Sequence, residues 1–262
     1  MNNQHIVKEI ASAKINLTFN IVGPKKVSFH EIQSLIVFSS DIQDILILKK
    51  SKEFSINIKG NEAKNLINNG GDFLVKKAAL ILSEYLQMPL KASVTLYKNI
   101  PIKSGLGGGS ADAAAMLRAL LKFWKIKISI NILSTLASKI GSDVPACLFS
   151  KPVFVGGRGE KILGFPGIIK TFWLVIIKPK QGASTKLVFN KFKGSLNKRI
   201  FTMRKIYPNN YSKDQNSLKE SVTSLIPEIK KIILLFEKTN GISQAKITGS
   251  GSSVYKIYYN KK

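Results

Sequence analysis

The sequence predicts an α+β fold. Segments with strand and helix periodicity are interspersed without regular βαβ alternation, and a glycine-rich loop leads from a strand straight into a helix rich in alanine and leucine. The 262 residues are 44% hydrophobic, enough for one large domain or two smaller ones sharing a cleft. A change of texture beyond Ser150 places the expected boundary between 1–155 and 156–262.

From the N-terminus, Ile15, Leu17, Phe19 and Ile21 alternate with Asn16, Thr18 and Asn20, the period of a half-buried strand. Lys14 and Asn16 then share the face opposite the apolar one. Gly23-Pro24 breaks the strand. Further strands are expected at Ile45–Leu48, Phe54–Ile58 and Ala92–Leu96. Helical spacing covers Phe73–Leu86, Ala111–Phe123 and Asn131–Ile140, the last with Gly141 as its C-terminal stop. Gly156–Gly159 reads as a turn, Phe172–Ile177 as a buried strand ended by Lys178-Pro179, and Ile226–Phe236 as a helix. Lys246–Ile247 and Val254–Tyr258 read as strands around a glycine turn.

Composition narrows the class. No run of about 18 apolar residues is present, so a membrane span is not expected. Met1–Glu9 lacks the basic-then-apolar pattern of a signal peptide. Cys147 is the single cysteine, which excludes an internal disulfide and fits a reducing compartment, the cytoplasm being the simplest address. The charge is +26, from 41 Lys+Arg against 15 Asp+Glu. A lysine-rich composition, steering of polyanionic substrates and nucleic-acid binding all produce such a balance. Basic residues crowd from Lys186 to Lys205, yet Lys191, Lys193, Lys198, Arg199, Arg204 and Lys205 lack helical spacing. No zinc-finger, RNA-recognition or helix-turn-helix pattern accompanies them, so no nucleic-acid partner is expected.

The sharpest motif runs from Pro101 through Gly105-Leu106-Gly107-Gly108-Gly109-Ser110 to Ala114. Glycines let the backbone approach a ligand closely, and the following helix N-terminus favours an anion. Ser110 can cap that helix or donate to a phosphate. The pattern lacks the Lys-Ser/Thr ending of a Walker loop and the third glycine of a dinucleotide fingerprint, and a protein-kinase loop sits in a hairpin. Gly141-Ser142-Asp143-Val144-Pro145 offers a carboxylate that is either functional or simply the cap of a new helix. Thr248-Gly249-Ser250-Gly251-Ser252-Ser253 reads, taken alone, as a hairpin turn.

In this order the segments Ala13-Lys14-Ile15-Asn16-Leu17, Pro101 to Ala114, Gly141 to Pro145 and Thr248 to Gly251 resemble the GHMP kinases, from about Glu9 to Tyr255. The triple glycine followed by Ser-Ala-Asp-Ala-Ala resembles the branch of that family whose acceptor is a cytidine-diphosphate-linked methylerythritol, in non-mevalonate isoprenoid synthesis. The resemblance implies a two-domain α+β kinase with its site in the cleft between domains, ATP as phosphoryl donor and Mg2+ as its companion ion. It implies that Asp143 accepts the hydroxyl proton, beside Lys14. It further implies ATP contacts from Lys98, Pro101, Gly105, Leu106, Gly107, Gly108, Gly109 and Ser110, and acceptor contacts from Asn16, Phe29, His30, Thr185 and Phe189. It names no magnesium ligands. Phe29 and Phe189 also have a plain reading as core residues. Two departures stand out. Gly23-Pro24-Lys25-Lys26-Val27-Ser28-Phe29-His30 replaces the family's Gly-Arg-x-x-Asp-Gly-Tyr-His, and Asn216-Ser217-Leu218 replaces its Asn-Asp-Leu.

Overall fold

In the computed structural model, residues 5–23, 29–165, 169, 171–196 and 216–258 are described. The expected loop residues 24–28 and the basic residues Lys198, Arg199, Arg204 and Lys205 lie outside them. In chain order the elements are β1 (Ile6–Asn16), β2 (Asn20–Ile21), β3 (Ile32–Lys50), β4 (Ser55–Lys59), α1 (Ala63–Asn68), α2 (Phe73–Leu86), β5 (Ala92–Tyr97) and α3 (Gly108–Trp124). There follow α4 (Ile130–Ile140), α5 (Val144–Phe149), β6 (Val153–Gly156), β7 (Lys161–Gly164), β8 (Trp173–Ile177), α6 (Thr185–Asn190), α7 (Lys219–Leu225), α8 (Glu228–Glu237), β9 (Lys246–Ile247) and β10 (Val254–Tyr258). The mixture is α+β.

Two compact units form. One gathers residues 1–14, 38–102 and 107–151, the other residues 15–37, 103–106 and 152–262. The expected boundary lies close to the crossing from Lys151 to Pro152. The chain also crosses after Lys14 and Val37, because β1 and β3 are long enough to contribute residues to both units, and after Ile102 and Leu106, within the loop between β5 and α3.

In the first unit, β5 pairs antiparallel with β3 (Leu46↔Leu96, Leu48↔Val94) and parallel with β4 (Ile56↔Val94). Leu46, Leu48, Val94 and Leu96 pack with Val75, Ala78, Ala79 and Leu82 of α2 and with the alanine-rich face of α3. The spacing of the α2 residues is i, i+3, i+4, i+7, one face of a helix. The Asp72 carboxylate caps α2 by accepting from the Val75 N–H at 2.8 Å. In α4, Leu133, Leu136, Ala137 and Ile140 repeat the same spacing. Gly141 does follow α4, but with φ −174°, extended backbone open to any residue, so its lack of a side chain is not what stops the helix.

In the second unit, β6 pairs with the start of β3 (Leu35↔Phe154) and with β7, across the expected turn after Gly156. A smaller sheet runs β8-β10-β9. Its core joins Phe19, Ile21, Ile32 and Val188 to Leu218, Val222, Ile229, Ile232, Ile233, Phe236, Ile247 and Val254.

Four expectations change. The first strand does not begin at Ile15 but at Ile6, and Lys14, Ile15 and Asn16 are all buried, so neither face there is a solvent face. The earlier half does not look like a strand because Glu9 occupies an inward position, where Arg118 Nε donates to it at 2.8 Å. The strand expected at Ile45–Leu48 is part of a 19-residue strand. The strand near Phe172–Ile177 exists but is not buried, since Trp173 and Val175 are 38% and 47% exposed. The helix expected from Ile226 starts instead at Glu228, after Pro227 at its N-cap.

Candidate active site

The first unit brings together three of the expected residues. Lys14, near the end of β1, places its Nζ 3.3 Å from Asp143 Oδ2. Asp143 occupies the N-cap position of α5, but its side chain makes no capping hydrogen bond. Capping is therefore not the role that the geometry supports for Asp143: its carboxylate faces a lysine, and its side chain remains one-third exposed. Gly107 completes the trio. It has φ +67° and precedes α3, and a Cβ there would fall 2.5 Å from Lys14 Cγ. The aliphatic stem of Lys14 thus lies against the glycine loop, which only glycine permits.

The N-terminus of α3 supplies the N–H groups of Gly108, Gly109 and Ser110, which lie in the helix's first turn, where N–H groups have no intrahelical acceptor. Ser110 lies inside α3 and does not cap it; the cap position belongs to Gly107. Lys98 stands differently from the expectation. It is 2% exposed, and its ammonium donates to the carboxylates of Asp44 and Asp112. Its ammonium is taken up by these two carboxylates, which is not the nucleotide contact that the resemblance implies. Asp44 and Asp112 are themselves fully buried, and no motif marks Asp44, which ends the largely polar stretch 39–44 of β3. Cys147 in α5 is buried, and burial, with the Asp143 charge, raises its thiol pKa far above the usual range, so it is no nucleophile.

In the second unit, Asn16 is held from several sides. Its Nδ2 donates to Ser34 Oγ at 2.7 Å, its N–H donates to Thr248 Oγ1 at 3.0 Å, and Tyr255 Oη donates to its carbonyl at 2.8 Å. Gly105 and Leu106 also belong here. Leu106 is buried, so only its backbone could meet a ligand. Gly105, with φ +80°, faces the Thr248–Gly251 turn, which is the hairpin between β9 and β10. Asn216 ties that turn down, donating to the carbonyls of Ile247 and Gly249 at 2.9 and 2.6 Å. Ser217, in place of the family's acid, accepts from the Ile21 N–H at 3.1 Å.

The aromatic residues separate. His30 stacks on Phe189 with centroids 5.9 Å apart, and Phe192, which no sequence motif marks, meets His30 edge-on at 5.4 Å. Phe189 also touches Phe19 at 6.2 Å, so it borders the core as well. Thr185 lies one turn before Phe189 on α6, and its Oγ1 accepts from Ser250 Oγ at 3.0 Å. Phe29 is placed elsewhere: its ring lies under Arg158 at 5.3 Å. Among the described residues, no group of three or more His, Cys, Asp or Glu is placed to hold a metal ion, and no helix is long and apolar enough to cross a membrane.

A glycine-led helix N-terminus beside a lysine–aspartate pair defines a class of phosphotransferase, and residues 74–151 match the sequence model of the GHMP kinases N terminal domain. Among solved structures, a crystal structure of 4-(cytidine 5'-diphospho)-2C-methyl-D-erythritol kinase superposes with TM-score 0.77 at 24% identity, covering 96% of this chain and 90% of the other. Homoserine kinase from Cytophaga hutchinsonii follows with TM-score 0.69 at 16% identity, covering 100% and 87%; both likenesses concern the fold. At the level of sequence, the 4-diphosphocytidyl-2-C-methyl-D-erythritol kinase of Parvibaculum lavamentivorans is 35% identical over 96% of this chain and 89% of its own length. That of Ehrlichia ruminantium (strain Welgevonden) is 35% identical over 95% and 88%. The chain belongs to the 4-diphosphocytidyl-2-C-methyl-D-erythritol kinase family, ATP-using GHMP kinases of isoprenoid precursor synthesis.

Proposed function

We propose that this chain transfers the γ-phosphoryl group of ATP to the 2-hydroxyl of 4-diphosphocytidyl-2-C-methyl-D-erythritol, with Asp143 as the base and Lys14 as its electrostatic partner. The observation that carries the reading is the 3.3 Å Lys14–Asp143 pair lying against Gly107. Phosphoryl transfer asks little covalent chemistry of a protein and much positioning and charge stabilisation. Asp143 accepts the proton as the hydroxyl attacks phosphorus. Lys14, 3.3 Å from the carboxylate, holds it in place and counters negative charge developing on the transferring group. Gly107, Gly108, Gly109 and Ser110 hold the ATP phosphates through backbone N–H groups, with Pro101 at the entrance of the loop. Asn16, two residues along β1 from Lys14, orients the acceptor. Phe189 and His30 take the cytosine, with Thr185 and Phe29 as further acceptor contacts.

Mg2+ fits this arrangement as an ion carried by ATP. A magnesium ion typically keeps several waters and takes one or two protein oxygens plus substrate phosphates. The Ser110 hydroxyl in the first turn of α3 would supply an oxygen of that kind, and the ion would neutralise phosphate charge. The substrate is a small molecule, the protein has no nucleic-acid or membrane partner, and its compartment is the cytoplasm. A coupled assay of ADP release decides the acceptor. Turnover is expected with the cytidyl substrate and not with mevalonate or homoserine. Turnover with either of those two and none with the cytidyl compound would sink the reading.

A further inference from the structure

Beneath the first turn of α3 lies a buried ionic cluster with no place in the mechanism above. Lys98 Nζ donates to Asp44 Oδ2 and Asp112 Oδ2. Asp44 also reaches the backbone, its Oδ1 accepting from the N–H groups of Asn99 and Ile100 at 2.5 and 2.7 Å. These residues form the segment through which the chain leaves β5 for the glycine loop. Lys98 is also anchored through its backbone, its N–H donating to the Lys59 carbonyl and its carbonyl accepting from the Glu62 N–H at 2.9 Å. On the other side, a Cβ on Gly108 would fall 2.8 Å from Lys98 Nζ and 3.0 Å from Ile100 Cγ2. Asp112 is four residues after Gly108, on the same face of the helix one turn later. The ammonium thus touches both ends of the turn whose N–H groups form the cradle.

The charges of this cluster indicate positioning rather than attraction for ATP. Three carboxyl groups, Asp44, Asp72 and Asp112, surround one lysine, which would leave a net negative charge below a phosphate site if all were ionised. Burial raises the pKa of Asp112 well above the ordinary range, although Lys98 opposes it, and burial raises Asp72 as well. For Lys98 burial disfavours the charge, but the Asp112 and Asp44 carboxylates outweigh it and keep the ammonium charged. Among the described residues Asp112 Oδ1 has no hydrogen-bond partner, and Asp72 is the neighbouring carboxyl, so a proton held between them supplies the missing donor.

We propose that Lys98 is a positioning residue for ATP: bridging Asp44 and Asp112, it locks the strand exit at residues 98–100 to the first turn of α3 and so holds the phosphate cradle in its binding shape. This rests on the reading of Gly107–Ser110 as that cradle. The test measures binding of a non-hydrolysable ATP analogue to the full chain by calorimetry, and both Michaelis constants. Lys98→Met and Asp112→Ala are expected to weaken the analogue and raise the ATP constant by about tenfold or more, while the acceptor constant stays within about twofold. Asp112→Asn keeps an oxygen for Lys98 and brings an N–H donor toward Asp72, so it should stay within about threefold of the parent. A folded Lys98→Met or Asp112→Ala protein with the parent's ATP affinity overturns the proposal, as does an equal rise of both constants. If Lys98→Met fails to fold, the contrast between Asp112→Ala and Asp112→Asn decides alone. Ser110→Asp, which places a carboxylate in the cradle, separates the two readings. Unchanged affinity there refutes the cradle itself, whereas lost affinity beside an unaffected Asp112→Ala refutes only the role of the cluster.

Discussion

Gly105 and Gly251 meet backbone to backbone. A Cβ on Gly251 would collide with Gly105 Cα, and one on Gly105 would fall 2.6 Å from Gly251 Cα. The Thr248–Gly251 turn and the start of the glycine loop are two halves of one contact, so two motifs far apart in sequence share a single physical cause. Gly251→Ala should destabilise the protein by about 1–3 kcal/mol or more, the cost of overpacking a site that cannot yield. Gly141→Ala should change stability by no more than about 0.5 kcal/mol, since its added Cβ would meet only Val144 Cγ2, at 3.5 Å. Urea denaturation of both variants checks the contrast; equal losses would contradict it.

Asp143→Asn should lower turnover about a hundredfold or more, because it removes the basic carboxylate while keeping its size. The structure adds a second expectation. Asp143 makes no side-chain capping bond, so melting temperature should scarcely change and ATP affinity should persist. Near-normal turnover, or a large drop in melting temperature with turnover intact, would return Asp143 to a structural role.

Gly107→Ala is predicted to act on catalysis as well as on binding. From the sequence, a side chain there takes space needed by phosphate oxygens or forces a backbone conformation barred to other residues. The structure places Lys14 Cγ 2.5 Å from the new Cβ, and the backbone has φ +67°. Lys14 must shift from Asp143, so turnover at saturating ATP should fall about tenfold or more, the scale expected when a reacting group is displaced by about an ångström. Steady-state kinetics at several ATP concentrations reads this directly. A rise in the ATP constant with unchanged turnover would show that Lys14 accommodates the methyl.

Much of the fold is legible in the sequence where local signals agree. The α2 segment carries a capping Asp72 and a clean i, i+3, i+4, i+7 face, and its bounds in the structure are those its periodicity predicts. The β9–β10 hairpin is equally plain. In β1 and β3 what hides the pattern is the burial of charge. Glu9 in β1 and Asp44 in β3 interrupt the alternation that marks a strand, because each serves an ionic partner that only the folded chain brings near. The same holds at the site. Lys14, Asp143 and the glycines are readable from motif order, while the true setting of Lys98 is not, since its partners lie 54 and 14 residues away. Phe192 carries no motif, and only its edge-on contact with His30 reveals it.

The aromatic group proposed to take the cytosine gives the last prediction. Cytosine offers a flat face for stacking and an edge with hydrogen-bond donors and acceptors. His30 lies nearly parallel to Phe189, at 17°, and Phe192 meets it edge-on, so the three rings form one aromatic group in the second unit. Phe29 stands apart under Arg158 and is predicted to matter less than Phe189. Stacking of a base on an aromatic side chain contributes about 1–3 kcal/mol, or roughly a factor of 5 to 150 in affinity. Phe189→Ala and His30→Ala should therefore raise the Michaelis constant for the cytidyl substrate several-fold or more and leave that for ATP nearly unchanged. Phe189 also borders the core through Phe19, so its variant should lose some stability, which thermal melting will separate from the binding effect. His30→Ala leaves the Phe19–Phe189 contact in place but removes the stack on Phe189, so its melting is compared in the same way. Cytidine diphosphate should compete with the acceptor and not with ATP. If neither substitution moves the acceptor constant and cytidine diphosphate fails to compete, the aromatic group is core packing, and the base is recognised elsewhere on the chain.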